Sequence, residues 1–208
     1  MTPSLPTITG GMNILAFDQS CTAAAAVFIE SDCEFNLHVM SSEVHRPKGS
    51  GIHRMMDLRY WFDNQVSRIS PHLLIRELHN QRTWGAANQL HALAGFIDAT
   101  AWEYEYIKNN RYLMIPVTTW KKFCLGKGNT AKDTAYMMKI NKFFRSCEWL
   151  DANGMDPVED DNIGDAICLA ITGFIAYRCH TLKHEVDLTK IQTDALKKSD
   201  SMFDYGSL

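Results

Sequence analysis

The sequence predicts a mixed α/β domain built on a five-stranded sheet, three antiparallel strands followed by parallel ones, with helices on both faces. Two observations predict it. Three apolar runs follow one another within the first 44 residues, separated only by turn-sized polar stretches. From residue 52 onward, segments with apolar residues at helical spacing alternate with short apolar runs, the pattern of strands joined through helices.

Residues 13–18, Asn-Ile-Leu-Ala-Phe-Asp, read as a buried strand that ends in a carboxylate. Residues 22–30 hold four alanines and then Val-Phe-Ile. Alanine favours helix, but the short turn before this run and its β-branched end favour a hairpin partner. Residues 34–44 alternate loosely through Phe35, Leu37 and Val39 and give a third strand. Residues 45–51 form a Pro/Gly/Ser loop, and 52–69 carry apolar residues at helical period until Ser70-Pro71 stops them. Residues 73–77 form a short strand that repeats the opening pattern, with Leu73, Ile75 and Glu77 on one face as Ile14, Ala16 and Asp18 are.

After a polar loop at 79–85, residues 86–107 read as a long helix and 112–117 as the fifth strand. A short helix over 118–125, capped by Thr118 or Thr119, ends at Gly126-Lys127-Gly128. Asn129 or Thr130 is expected to cap a helix over 131–145. An acidic loop at 148–160 leads to a strongly apolar helix over 162–179. Residues 1–11 are expected to be a disordered arm, 12–180 the folded domain, and 181–208 a loosely held polar tail.

Composition narrows the function classes. A chain of 208 residues that is 46% hydrophobic can bury a substantial core. No apolar run approaches the roughly 18 residues needed to span a bilayer, and the first residues lack the basic and apolar regions of a secretory signal. Six scattered cysteines without a Cys-x-x-Cys pair argue against a zinc ribbon and fit reduced thiols, so a cytoplasmic protein is expected. The net charge of −3 hides a strong asymmetry. Residues 108–145 carry nine Lys or Arg against one acid, Asp133, whereas 148–165 carry seven acids and no base. Such neighbouring blocks suit a protein that holds both a polyanion and cations, though two solvated faces would look the same.

The acids supply the sharper signal. Asp18 alone is well explained as a turn residue. Glu77 ends a second strand in the same way, and Asp165 lies a turn inside an apolar helix, where a charge needs a partner. Asp161 and Asp165 are four apart and Asn162 and Asp165 three apart, so either pair shares a helix face. Helix-dipole complementarity explains Glu159 to Asp161 but not Asp165. If Asp18, Glu77, Asp165 and one of Asp161 or Asn162 converge, four oxygen donors suit Mg²⁺ or Mn²⁺ rather than zinc. Two such ions roughly 4 Å apart serve phosphodiester hydrolysis.

Four motifs in this order resemble the RuvC-type Holliday-junction resolvases of the RNase H-like nuclease superfamily. They are Ile14-Leu15-Ala16-Phe17-Asp18-Gln19-Ser20, Leu74-Ile75-Arg76-Glu77, the basic stretch from Lys121 through Gly126-Lys127-Gly128 to Lys132, and Asp161-Asn162-Ile163-Gly164-Asp165-Ala166. The resemblance implies an RNase H-like sheet and a structure-selective endonuclease that leaves a 5′-phosphate. It implies Asp18, Glu77 and Asp165 as catalytic ligands of two Mg²⁺, for which Mn²⁺ would substitute, with Asp161 or Asn162 completing the set. Lys132 would serve the reacting phosphate, and Lys121, Lys122, Lys127, Lys132 and Arg82 would contact DNA. The implied partner is branched DNA, above all a four-way junction, engaged by a homodimer for which the helix over 86–107 is a candidate interface.

Two departures stand out. The family commonly has Asp or His where this chain has Asn162, and cellular members carry a wedge aromatic soon after the second acid, where this chain has Leu78, His79 and Asn80, with Trp84 later. With its long polar ends and missing wedge, the chain is more similar to a bacteriophage member. Two other readings compete: a junction-binding protein without cleavage, which Asn162 allows, and a sugar-kinase-like fold, for which the chain is short of a second lobe. A zinc site at Cys179, His180 and His184 lacks a fourth ligand, and Gly126 to Thr130 lacks the spacing of a P-loop. Trp102, Tyr104 and Tyr106 are expected as helix surface and core, and Met55, Met56, Trp61 and Phe62 as helix packing.

Overall fold

The computed structural model describes residues 11–78 and 86–197. Strands β1 (Met12–Asp18), β2 (Ala24–Ser31) and β3 (Leu37–His45) form an antiparallel meander. Helix α1 (Gly51–Ile69) leads to β4 (Leu73–Leu78), α2 (Ala86–Glu103) to β5 (Tyr112–Pro116), and then come α3 (Val117–Leu125), α4 (Tyr136–Ser146), α5 (Asp161–His180) and α6 (Lys190–Leu196). The sheet order is β3-β2-β1-β4-β5, with β4 parallel to both β1 and β5. This is the five-stranded mixed sheet expected.

Each face of the sheet carries its own core. Ile14, Ala16, Ile75, Leu113 and Ile115 pack with Ile167, Ile171, Phe174 and Ile175 of α5. Leu15, Phe17 and Leu74 pack with Leu58 and Phe62 of α1 and with Leu93 and Ile97 of α2. Alternation therefore sends Asp18 and Glu77 to the α5 side and Arg76 to the α2 side. The alanine-rich run is a strand because both of its faces are covered: Ala25 and Val27 face the α5 core, Ala24 and Ala26 the α1 core. Helix α5 fits closely, since a Cβ on Gly173 would stand 2.6 Å from Ile75 Cδ1.

The structure departs from expectation at helix ends. Helix α2 stops at Glu103, and the chain turns through left-handed Glu105 and Asn110 before β5. Neither Thr118 nor Thr119 caps α3, because β5 runs straight into the helix through Pro116, and no side chain caps it. Helix α4 begins at Tyr136, five residues later than expected, and Thr130 closes a turn on the Lys127 carbonyl instead of capping. A Cβ at Gly128 would lie 2.8 Å from the Thr118 carbonyl, so the chain here is pressed against the start of α3 and is held off a helical path. Asp160 caps α5, accepting from the amides of Asn162 and Ile163.

The stretch beyond 180 is not uniformly loose. Thr189 and Gln192 form a capping box at the start of α6, and Ala195 and Leu196 are buried in the α5-side core. The polar composition hid two apolar residues sufficient to dock one short helix. Tyr106 is core and Trp102 and Tyr104 are exposed, although Tyr104 and Tyr106 lie beyond the end of α2. Met55, Trp61 and Phe62 pack under the sheet as expected, whereas Met56 is only partly buried and joins neither core. No helix among the described residues is long and apolar enough to cross a membrane.

Candidate active site

Parallel pairing creates the site. The β1–β4 register runs from Ile14↔Leu73 to Phe17↔Arg76, and one further step sets Asp18 beside Glu77 at the carboxyl ends of both strands. Ligand sites of α/β sheets form at that edge. Helix α5 passes beneath and brings Asp165. A cleft of about 250 Å³ results, bordered by Asp18, Glu77, Asp165, Asn162, Lys121 and Lys132.

The three acids are nearly inaccessible: Asp18 is 7% exposed, Glu77 5% and Asp165 4%. Burial, then the charges of Glu77 and Asp165, hold the Asp18 carboxyl well above its usual range. Burial pushes Glu77 up to about 7, against the hydrogen bond from Trp120. Burial also raises Asp165, opposed by Lys132 and Tyr136. Carboxylates raised by burial and by one another are groups short of positive charge.

Two of the acids, Glu77 and Asp165, are held by named donors. The Trp120 indole N–H donates to Glu77 Oε2 at 3.0 Å. The Tyr136 hydroxyl donates to Asp165 Oδ1 at 2.5 Å, and Lys132 Nζ stands 2.8 Å from Asp165 Oδ2 and 2.7 Å from Asp161 Oδ2. Burial would lower the Lys132 ammonium, but its bonds to the two aspartates outweigh this and raise it. Asp161 moves the other way, held low by Lys132. Lys121 Nζ lies 5.4 Å from the ring centroids of both Trp120 and Tyr136 and donates to the Thr130 carbonyl.

The structure thus brings together Asp18, Glu77, Asp165, Asn162, Lys121 and Lys132. Asp161 stays outside the cleft lining, tied to Lys132, while Asn162 borders the cleft and donates its amide to Asp160 Oδ1 at 3.1 Å. Lys122 is half-buried and Lys127 exposed, and neither lines the cleft. Arg82 and Trp84 lie outside the described residues. Sequence reasoning missed Trp120 and Tyr136. Both were visible only by position, Trp120 just before Lys121 and Tyr136 four residues after Lys132, since nothing in an aromatic residue's neighbours says which acid its polar tip will reach.

The donors fit hard divalent cations, being carboxylate oxygens with an amide oxygen available at Asn162. Among the described residues, no group of three or more Asp, Glu, His or Cys is drawn together as a finished cage. Trp120 holds one oxygen of Glu77, and Tyr136 and Lys132 hold the two oxygens of Asp165.

No family model matches the chain, and no curated protein matches it in sequence. Solved structures do. The RuvC structure of Thermus thermophilus superposes with a TM-score of 0.63 at 15% identity, over 82% of this chain and 98% of that one. T. thermophilus RuvC in complex with a Holliday junction substrate gives 0.61 at 16% identity, over 79% and 94%. The yeast mitochondrial Holliday junction resolvase Ydc2 gives 0.54 at 11%, over 79% and 80%. At these identities the likeness establishes architecture. The chain has the RNase H-like fold of the RuvC-type Holliday-junction resolvases.

Proposed function

We propose that this protein is a metal-dependent endonuclease that cleaves branched DNA, with the four-way junction as its principal substrate. The single observation carrying this reading is the meeting of three buried acids from β1, β4 and α5 in one cleft that also holds Lys121 and Lys132. Asp18, Glu77 and Asp165 would hold Mg²⁺ or Mn²⁺, with Asn162 offering a further oxygen. Two bound cations supply an activated water and stabilise the leaving oxygen of a phosphodiester. Lys121 and Lys132 add positive charge at the cleft mouth, where a phosphate of the scissile strand would sit. Trp120 would keep Glu77 oriented by holding one of its oxygens, and Tyr136 and Lys132 would fix Asp165 by holding one oxygen each. Cleavage in line would leave a 5′-phosphate, and the symmetry of a junction would call for a two-fold dimer.

A junction binder without cleavage is the competing reading, favoured by the amide of Asn162 at the cleft. One assay separates them. A labelled four-way junction incubated with the protein and Mg²⁺ or Mn²⁺ should be cut, and Asp18→Asn should bind the junction but cut it at least about 100-fold more slowly, beyond what outer-shell changes cost. Binding without cutting under either metal would decide for the competing reading. An Asp18→Asn protein as active as the parent would refute the site.

A further inference from the structure

Arg76 takes no part in the chemistry above, yet it is among the most buried charges in the described structure, at 3% exposure. It precedes Glu77 on β4, so its side chain enters the opposite core, beneath α2. There Nε and Nη2 form a fork on Asp98, donating to Oδ1 and Oδ2 at 2.8 and 2.9 Å. Nε also reaches the Tyr112 hydroxyl at 2.5 Å, and that hydroxyl itself donates to Asp98. The remaining arm turns back to the strand, where Nη1 donates to the Glu77 carbonyl at 2.9 Å.

That last bond has a specific setting. The registered pairs between β4 and β1 end at Phe17↔Arg76, so Glu77 is the first residue of β4 beyond that ladder. Glu77 stays in register with Ile115 of β5, and Arg76 adds a rigid donor to its main chain at the point where pairing with β1 ends. A buried ion pair is poor evidence for added stability, because apolar residues of similar size often do as well or better. Its directional bonds are what an apolar pair could not replace. We propose that Arg76, clamped by Asp98 and Tyr112, is a positioning residue that fixes the Glu77 backbone and so aims its carboxylate for cation binding. Helix α2, whose Leu90 also borders the cleft, thereby belongs to the scaffold of the site.

The inference rests on the nuclease reading, and its test keeps the two apart. The protein is titrated calorimetrically with Mn²⁺ alone, and its melting temperature and its kcat and KM on a labelled four-way junction are measured in parallel. Arg76→Lys keeps the charge, but one ammonium cannot serve both the fork on Asp98 and the Glu77 carbonyl. Asp98→Asn removes the clamp from the other side. Each should weaken Mn²⁺ affinity about 10- to 100-fold, the range for outer-shell partners of metal ligands. Each should lower kcat while leaving KM within about twofold, and the double variant should be little worse than the worse single one.

A merely structural pair would lower the melting temperature and leave Mn²⁺ affinity and kcat unchanged in the cold; that result overturns the proposal. If Arg76→Lys does not fold, Tyr112→Phe, which removes one hydroxyl, carries the same readouts, and wild-type Mn²⁺ affinity in it and in Asp98→Asn is again fatal. Failure of the unmutated protein to bind Mn²⁺ and cut the junction would overturn both readings. Binding and cutting by the unmutated protein, with variants equal to it, would overturn only this one.

Discussion

The indole of Trp120 donates to Glu77 Oε2 at 3.0 Å, joining residues 43 positions apart on α3 and β4. Of the influences on the Glu77 carboxyl, burial is the largest and raises it, and this hydrogen bond is the strongest opposing one. With the bond in place the carboxyl already stands at about 7. Trp120→Phe keeps an aromatic in the buried slot but deletes the donor, so Glu77 should hold its proton to higher pH. The acid limb of the kcat/KM profile should move upward, with activity at neutral pH down about tenfold, the low end for an outer-shell loss. A variant whose profile overlays the parent's would show that the bond does not govern Glu77.

The acid cluster also predicts how stability depends on pH without metal. The folded-state pKa of Glu77 lies above its ordinary value of 4.5, and those of Asp18 and Asp165 are raised too. A raised carboxyl pKa means the folded state binds protons more tightly than the unfolded one. Its stabilising contribution is therefore complete below the unfolded pKa and is lost as pH rises through the folded one. For Glu77 that window runs from 4.5 to about 7. In chelator, the melting temperature of the parent relative to Glu77→Gln should fall across this window. At the upper end Mg²⁺ or Mn²⁺ at about 100 times its Kd should restore about 2.7 kcal/mol. A difference between the two proteins that rises with pH would contradict the assignment.

Asp161 and Asn162 are separated by their surroundings. Asn162 borders the cleft, whereas Asp161 spends its carboxylate on Lys132 at 2.7 Å. Asn162→Ala should accordingly weaken Mn²⁺ binding about tenfold, while Asp161→Asn should leave it nearer the parent and act through the freedom it gives Lys132. Calorimetry on the two variants checks this directly. The reverse order would make Asp161 the fourth donor.

Gly173 tests the packing that carries Asp165. A methyl group there would stand 2.6 Å from Ile75 Cδ1 and 3.0 Å from Cγ2. The tip of Ile75 could rotate away but its branch point could not. Gly173→Ala gains up to about 1 kcal/mol of helix propensity and should lose about 1–3 kcal/mol to overpacking. A lower denaturation midpoint is expected, and a higher one would show that α5 can shift on β4.

Much of the site could be read before the fold was seen. Period-two alternation along 13–18 and 73–77 places Asp18 and Glu77 on the same side of their strands as the core residues before them, and the structure keeps that placement. The apolar surroundings of Asp165 marked it as a charge in need of partners, and Lys132 and Tyr136 are those partners. Helix starts were read less well. Thr130 and Thr118 have the right chemistry for caps, but Pro116 and the contact of Gly128 with Thr118 decide where α3 and α4 begin. Helix α6 was missed because its capping box and two buried residues sit within an otherwise polar stretch.

The division follows the range of the forces. Alternation, helical periodicity and the order of acids and bases are properties of neighbouring residues, and from them the sheet, its flanking helices and three of the acids could be named. The donor that each acid receives depends on distances between segments far apart in the chain. Only the packed structure could pair Trp120 with Glu77, Tyr136 with Asp165, and Arg76 with Asp98 across the sheet. Hydrogen bonds act over about 3 Å, and only the folded chain sets separations on that scale.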